Sequence, residues 1–182
     1  MNNVLLIGNP GSGRKRLIQD LASKSVLGEC HNPLLNYKRV VELDLAQLVA
    51  NLQTLEEAES ALSEIFGEVL KAGNLLLVID ELHNFIGDAA GSGAGRINIS
   101  GVLASYLRMP EFPFIAITTF AGHHRYLEQN PSLLSFFEQV EVTELSQPET
   151  LQVLQETVPA FEGTYKKFIS YPALQTIVVY AD

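Results

Sequence analysis

The chain predicts an α/β fold, a parallel five-stranded sheet covered by helices on both faces. Three observations lead there. Short apolar runs rich in β-branched residues recur along the chain, segments with helical apolar spacing separate them, and the first strand–helix junction is a glycine loop. The apolar runs fall at residues 4–7, 40–44, 75–79, 114–118 and 140–142. Strands of a parallel sheet are buried on both faces, so they read as unbroken apolar stretches. Leu75-Leu76-Leu77-Val78-Ile79 is such a stretch and fits a central strand.

The first junction reads Gly8-Asn9-Pro10-Gly11-Ser12-Gly13-Arg14-Lys15, between the apolar run 4–7 and a helical pattern over 16–25. This is the strand–loop–helix setting of the phosphate-binding motif G-x-x-x-x-G-K-[ST]. Gly8 and Gly13 hold its outer positions. Arg14 stands where the motif has Lys, and Lys15 stands where a Ser or Thr would hold Mg²⁺.

The next helix spans 55–71, with Ala58, Ala61, Leu62, Ile65, Phe66, Val69 and Leu70 on one broad stripe. A third helix covers 99–107 and a fourth lies near 124–128. Residues 87–95 form a small, polar, glycine-rich loop, expected to be mobile. Met109-Pro110-Glu111-Phe112-Pro113 stops the third helix before the fourth strand. After residue 142 the strands cease. Two helical stretches follow, 147–158 and 171–180, with a turn expected at Glu162-Gly163. Residues 1–145 are therefore expected to form an α/β subdomain, and 146–182 the beginning of a helical one. The second stretch ends without a helix-stop signal, so that subdomain is expected to continue past Asp182.

Composition bounds the function. With 182 residues, 47% of them hydrophobic, the chain can bury a full core. A net charge of −9 argues against a nucleic-acid groove, which needs a basic surface. Nucleotide binding needs only a local cluster of donors and remains compatible. The single cysteine, Cys30, suits a reducing compartment. The run 4–7 is too short for a secretory signal core and nothing approaches a membrane span, so a cytoplasmic protein is expected.

The strand 75–79 ends in Asp80-Glu81. Opposite a phosphate loop, an Asp in this place holds the water shell of Mg²⁺ and a Glu polarises the attacking water. An apolar strand ending in two solvated acids is the plainer alternative. Thr119 follows the fourth strand, where a hydroxyl can position a water or a terminal phosphate, though Thr is also a good strand former. His123-His124-Arg125 makes poor metal geometry and reads as an exposed helix start. Cys30 lacks a companion His in a local motif and reads as a packing or loop residue.

At this point the order of motifs resembles a known family. The chain is similar to the large subdomain of an AAA+ ATPase, a P-loop NTPase fold of three layers. The likeness is closest to the first ATPase module of the Clp/ClpB-type protein unfoldases (ClpA, ClpB and ClpC). It rests on the glycine loop at 2–13, on Leu43-Asp44-Leu45-Ala46-Gln47-Leu48-Val49-Ala50, and on the Walker B run Ile79-Asp80-Glu81-Leu82-His83 followed by Gly87. Residues 116–119 with Tyr126-Leu127-Glu128 resemble the sensor-1 strand and its helix, and 146–154 the start of the lid. The resemblance implies strand order 5-1-4-3-2, ATP or ADP held by Gly8 through Lys15, catalysis by Asp80, Glu81 and Thr119, and Mg²⁺ at Asp80. It also implies ring-forming homo- or hetero-oligomers, other domains of a larger chain and protein substrates as partners, with no nucleic acid and no membrane. His83 resembles a structural residue of the family.

The departures matter as much. Arg14 keeps the charge of the motif Lys but carries a larger planar fork. Lys15 removes the hydroxyl ligand and sets an ammonium where Mg²⁺ would sit, so metal affinity should fall. With Arg16, these residues place three cations at a helix N-terminus, where each opposes the macrodipole by roughly 0.3–1 kcal/mol. Two readings follow, an anion site in which Lys15 takes the metal's role, or three solvated cations. The family's paired arginines correspond here to Ser135 and Phe136, so no guanidinium reaches a neighbour's terminal phosphate from that position. The pore-loop segment, residues 51–55, has no aromatic residue. The expectation is a degenerate module that binds nucleotide weakly or without metal and acts in assembly or regulation. A slow but active remodelling ATPase and a non-nucleotide scaffold are the alternatives.

Overall fold

The computed structural model describes residues 3–50, 52, 54–87 and 98–181. The glycine-rich loop beyond Gly87, and residues 51 and 53 of the pore-loop segment, lie outside them. The chain divides into two compact units, Met1–Val142 and Thr143–Asp182.

The first unit is built on five parallel strands: β1 (Asn3–Ile7), β2 (Arg39–Glu42), β3 (Leu75–Ile79), β4 (Phe114–Thr118) and β5 (Phe137–Glu141). Their order is β2-β3-β4-β1-β5, the order expected from the resemblance. Side chains alternate across the pleat and feed two cores. Leu5, Ile7, Leu77, Ile79, Phe114 and Ala116 face one side, and Leu6, Leu76, Val78, Ile115 and Ile117 face the other.

The larger core is covered by α3 (Leu55–Ala72) and α4 (Ser100–Leu107), and the smaller by α1 (Arg14–Leu27). Helix α3 is bounded as its sequence dictates. Thr54 Oγ1 accepts from Glu57 N, Glu57 returns a carboxylate to Thr54 N, and Gly73 ends the helix at φ 67°. Its Ala58, Leu62, Phe66 and Val69 are buried, with Phe66 set edge-on to Tyr106 and Phe112.

Helix α1 extends two residues past its expected bounds at each end, and three further boundaries of this unit differ for a local reason. Strand β2 stops at Glu42, and Asp44 leaves the sheet to accept from Gln47 N at the start of α2 (Leu45–Ala50). Strand β5 begins three residues earlier than expected. Its register is set by β1, from Asn3↔Phe137 to Ile7↔Glu141, while Glu138, Gln139 and Glu141 are exposed and break the apolar pattern of this edge strand. The fourth helix begins as a turn, α5 (Phe120–Gly122), and continues as a π-helical turn, His123–Leu127, before the short α6 (Pro131–Leu134).

The second unit is a pair of helices, α7 (Gln147–Tyr165) and α8 (Tyr171–Ala181). The turn expected at Glu162-Gly163 is absent. Helix α7 runs through it to Tyr165 and ends where Lys166 turns left-handed (φ 53°) and donates to the Glu162 carbonyl. The Glu162 carboxylate also accepts from Ile169 N at 2.8 Å, which ties the following segment to the last turn. Among the described residues no helix is long and apolar enough to cross a membrane.

Candidate functional site

Strands β1, β3 and β4 end side by side, and the segments leaving their carboxyl ends form the site. In parallel sheets this edge is where ligands collect. The loop after β1 needs its glycines. A side chain on Gly8 would collide with the Val142 carbonyl, Ser12 and Arg14, and Gly13 enters α1 at φ 91°. The loop folds back on itself through Ser12 N donating to the Asn9 carbonyl at 3.1 Å. Ser12 Oγ is buried, with no hydrogen-bond partner among the described residues.

Arg14 opens α1 but points into the sheet and is only 8% exposed. Its Nη1 donates to the Thr118 carbonyl at 2.8 Å, an oxygen that also accepts from Gly8 N at 3.1 Å. Its Nη2 stands 3.8 Å from Glu81 Oε1. Lys15 points the other way, with Nζ 3.1 Å from Asp80 Oδ2 and a side chain 70% exposed. The hydrogen bond and charge of Asp80, joined by Glu42, hold the Lys15 ammonium above the ordinary lysine pKa. Arg16 pairs with Asp20 one turn along at 3.4 Å. Each of the three cations read as an anion cluster therefore has a carboxylate beside it. No acid lies in the first turn of α1, so these partners come from the residues just after β3 and from the second turn.

Asp80 is positioned by its own backbone, since Oδ1 accepts from Glu81 N at 2.8 Å. Glu81 adopts a left-handed conformation, φ 53°, uncommon for a residue with a side chain. Its carboxylate lies between Arg14 and His83, whose Nε2 is 3.4 Å away. His83 is buried, its Nδ1 meets the Thr118 hydroxyl at 3.0 Å, and its ring stacks on Tyr126. Burial holds His83 below the ordinary histidine pKa against the opposing pull of Glu81. Gly122 packs so closely on this ring that a Cβ there would overlap it.

The structure thus brings Gly8, Gly11, Ser12, Gly13, Arg14, Lys15, Asp80 and Glu81 to one edge. Pro10, Gly11, Gly13, Lys15, Asp80 and Glu81 line a cavity of about 460 Å³ there. Thr119 is used differently, its hydroxyl accepting from Gly122 N at 2.9 Å as the cap of α5. Thr118, read in the sequence only as part of the fourth strand, and His83, read there as a structural residue, are joined by a contact that the sequence does not show. A strand buried along its whole length marks Thr118 only as buried, and nothing local says that His83 lies against it.

Two other features are separate from this edge. A cavity of about 480 Å³ between α1 and the sheet is lined mainly by aliphatic side chains such as Leu17, Leu21, Leu35 and Leu76. His123 and His124 share an acid. Nδ1 of each lies near Glu128, at 3.4 and 2.7 Å, the acid supplied by the helical turn itself. Among the described residues no group of three His, Cys, Asp or Glu side chains is arranged to hold a metal.

The donor set suits an anion better than a divalent cation. The glycine backbone and the Ser12 hydroxyl, unpartnered among the described residues, are donors of the kind that suit phosphoryl oxygens. Mg²⁺ wants oxygen ligands in octahedral array. Here the hydroxyl position carries an ammonium already bonded to Asp80, and a metal would meet that charge at short range.

Comparison with known proteins agrees with the architecture. Residues 4–145 match the family described as "ATPase family associated with various cellular activities (AAA)". The chain is 33% identical over 181 residues to the negative regulator of genetic competence ClpC/MecB of Bacillus subtilis, covering all of this chain and 22% of that protein. It is 33% identical over 181 residues to the chaperone protein ClpB of Oceanobacillus iheyensis, again covering all of this chain and 22% of the relative. A ClpA homolog of Guillardia theta is 35% identical over the same length and coverage. The chain thus spans about a fifth of the length of these relatives. Among solved structures, the S. cerevisiae Hsp104–ADP complex superposes with a TM-score of 0.76 at 24% identity, over 96% of this chain and 29% of that one, a likeness of fold. The chain belongs to the AAA family, as an AAA domain similar to those of Clp and ClpB proteins.

Proposed function

We propose that the chain is a degenerate AAA nucleotide-binding module of a Clp-type chaperone or unfoldase. On this reading it binds ATP or ADP weakly and without a metal ion, and it acts as an assembly or regulatory element of a cytoplasmic ring. The observation that carries the reading is the Lys15–Asp80 pair at 3.1 Å, in which a lysine ammonium lies against the carboxylate that would otherwise face the metal. The phosphate cradle would be the glycine loop, with the Ser12 hydroxyl, buried and unpartnered among the described residues, as one of its donors. Arg14, Lys15 and Arg16, each already beside a carboxylate, would add local positive charge that favours phosphoryl groups at the start of α1. Unit 2 would be the start of the lid, and the rings and protein substrates of larger relatives are the setting in which such a module would work.

An active ATPase is the second reading, favoured by the Asp80-Glu81 pair at the end of β3. Titration of fluorescent ATP and ADP, with Mg²⁺ and with EDTA, separates the readings when phosphate release is followed in parallel. The proposal expects binding that EDTA leaves intact and negligible release. Turnover that disappears in Glu81→Gln would establish the ATPase instead. No binding at millimolar nucleotide in either condition would leave a scaffold.

A further inference from the structure

Four residues from three segments, the start of α1, the turn after β3 and the end of β4, close a ring of contacts behind the glycine loop. Arg14 donates to the Thr118 carbonyl, the Thr118 hydroxyl meets His83 Nδ1, His83 Nε2 lies beside Glu81, and Glu81 lies beside Arg14. Arg14, His83 and Thr118 are buried, while the Glu81 side chain is 41% exposed and lines the loop cavity with Arg14.

The members of this ring are not held equally. The Arg14–Thr118 contact is a full hydrogen bond at 2.8 Å, whereas Arg14 and Glu81 are 3.8 Å apart, beyond hydrogen-bond range. A guanidinium has five donors in a planar fork, and such a fork favours two oxygens of one anion. A phosphoryl oxygen reaching Arg14 from the loop would make a charge-assisted hydrogen bond, shorter and stronger than the existing ion pair. It would also repel the Glu81 carboxylate across a few ångströms. Glu81 has somewhere to go, because His83 Nε2 already stands on its other side at 3.4 Å.

We propose that Arg14 is the specificity-determining residue of this loop, because Glu81 and an incoming phosphate compete for its guanidinium. The inference rests on the nucleotide-binding reading and adds the ligand class. The site takes a metal-free polyphosphate, whose charge is high enough to displace a carboxylate. A magnesium-chelated diphosphate carries less negative charge and competes less well. Glu81 acts here as a gate on binding, holding Arg14 until a sufficiently charged anion arrives.

Pyrophosphate is the probe, titrated calorimetrically in EDTA against the 182-residue chain and three variants. Glu81→Gln keeps the size of the side chain and removes its charge, so it should tighten pyrophosphate about threefold or more, within the range of measured pair couplings. On an Arg14→Ala background the same substitution should change affinity little, because nothing is left to compete for. Arg14→Gln serves as a second background if the alanine variant unfolds, since its amide can still donate to the Thr118 carbonyl but carries no charge for Glu81 and an anion to compete for. Equal tightening by Glu81→Gln with and without Arg14 would overturn the proposal, showing only the loss of a nearby negative charge. So would no tightening at all, with binding intact. Failure of every variant to bind pyrophosphate would overturn this inference and the nucleotide-binding reading together.

Discussion

Lys15 Nζ lies 3.1 Å from Asp80 Oδ2, joining the start of α1 to the end of β3 across the mouth of the glycine loop. Sixty-five positions separate these residues in the chain. The contact exists because β1 and β3 both end at the same edge of the sheet, on either side of β4. It makes the position that the phosphate-loop motif reserves for a metal ligand into an internal ion pair.

Replacing the ammonium should reopen the metal position. Lys15→Thr restores a hydroxyl and leaves Asp80 without its cation, so Mg²⁺-dependent nucleotide affinity should rise by about tenfold, or 1.4 kcal/mol, with little gain in EDTA. Paired titrations of fluorescent ADP in the two conditions measure it. An equal response in both would place Lys15 away from the metal position.

Gly8 is constrained by contact. A methyl group there meets the Val142 carbonyl, the Ser12 hydroxyl and the Arg14 side chain at once. Gly8→Ala should destabilise the first unit by about 1–3 kcal/mol through overpacking. Urea denaturation reads this as a lower midpoint at unchanged slope.

His83 sets a pH dependence whose sign follows from its burial. Its folded pKa is lowered from 6.5, so the unfolded chain takes up a proton at a pH where the folded chain does not. Stability contributed by neutral His83 is therefore complete above 6.5 and declines as pH falls below it. Denaturation midpoints at about pH 7.5 and about pH 5.5 should differ more in the wild type than in His83→Gln, which cannot take up that proton. Parallel pH responses would assign the acid sensitivity elsewhere.

Phe66 is the centre of the larger core, fully buried and edge-on to Tyr106 and Phe112. Phe66→Ala should cost about 3–5 kcal/mol, combining lost transfer energy with the cavity left behind. Thermal unfolding of the purified variant provides the check. A loss below 1 kcal/mol would mean that α3 and α4 close over the gap.

The sequence by itself determined the parts of this protein that depend on short range. Val4–Ile7, Leu75–Ile79 and Phe114–Ile117 are apolar without interruption, which fits strands of a covered sheet, and 75–79 a central one. The stripe from Ala58 to Leu70 made α3 legible to within a residue. The glycine loop and Asp80-Glu81 were legible for the same reason, as residue types in fixed spacing. Elements with weak local signal were not. β5 is an exposed edge strand whose register comes from β1, and α7 passes through a Glu-Gly pair that reads as a turn.

Only the tertiary structure decided what the charged groups do. Arg14 and Thr118 are 104 residues apart, and His83 and Thr118 are 35 apart. Parallel pairing of β1 with β4 and β4 with β3 brings their carboxyl ends together, and burial there leaves each charge or polar group in need of a partner. In sequence, Arg14 and Lys15 are adjacent cations on a loop. In the fold, one turns inward to a carbonyl and the other outward to Asp80, because a helix start sends neighbouring side chains in different directions. Spacing along the chain carries the motif, whereas which charge meets which is a property of the sheet that gathers them.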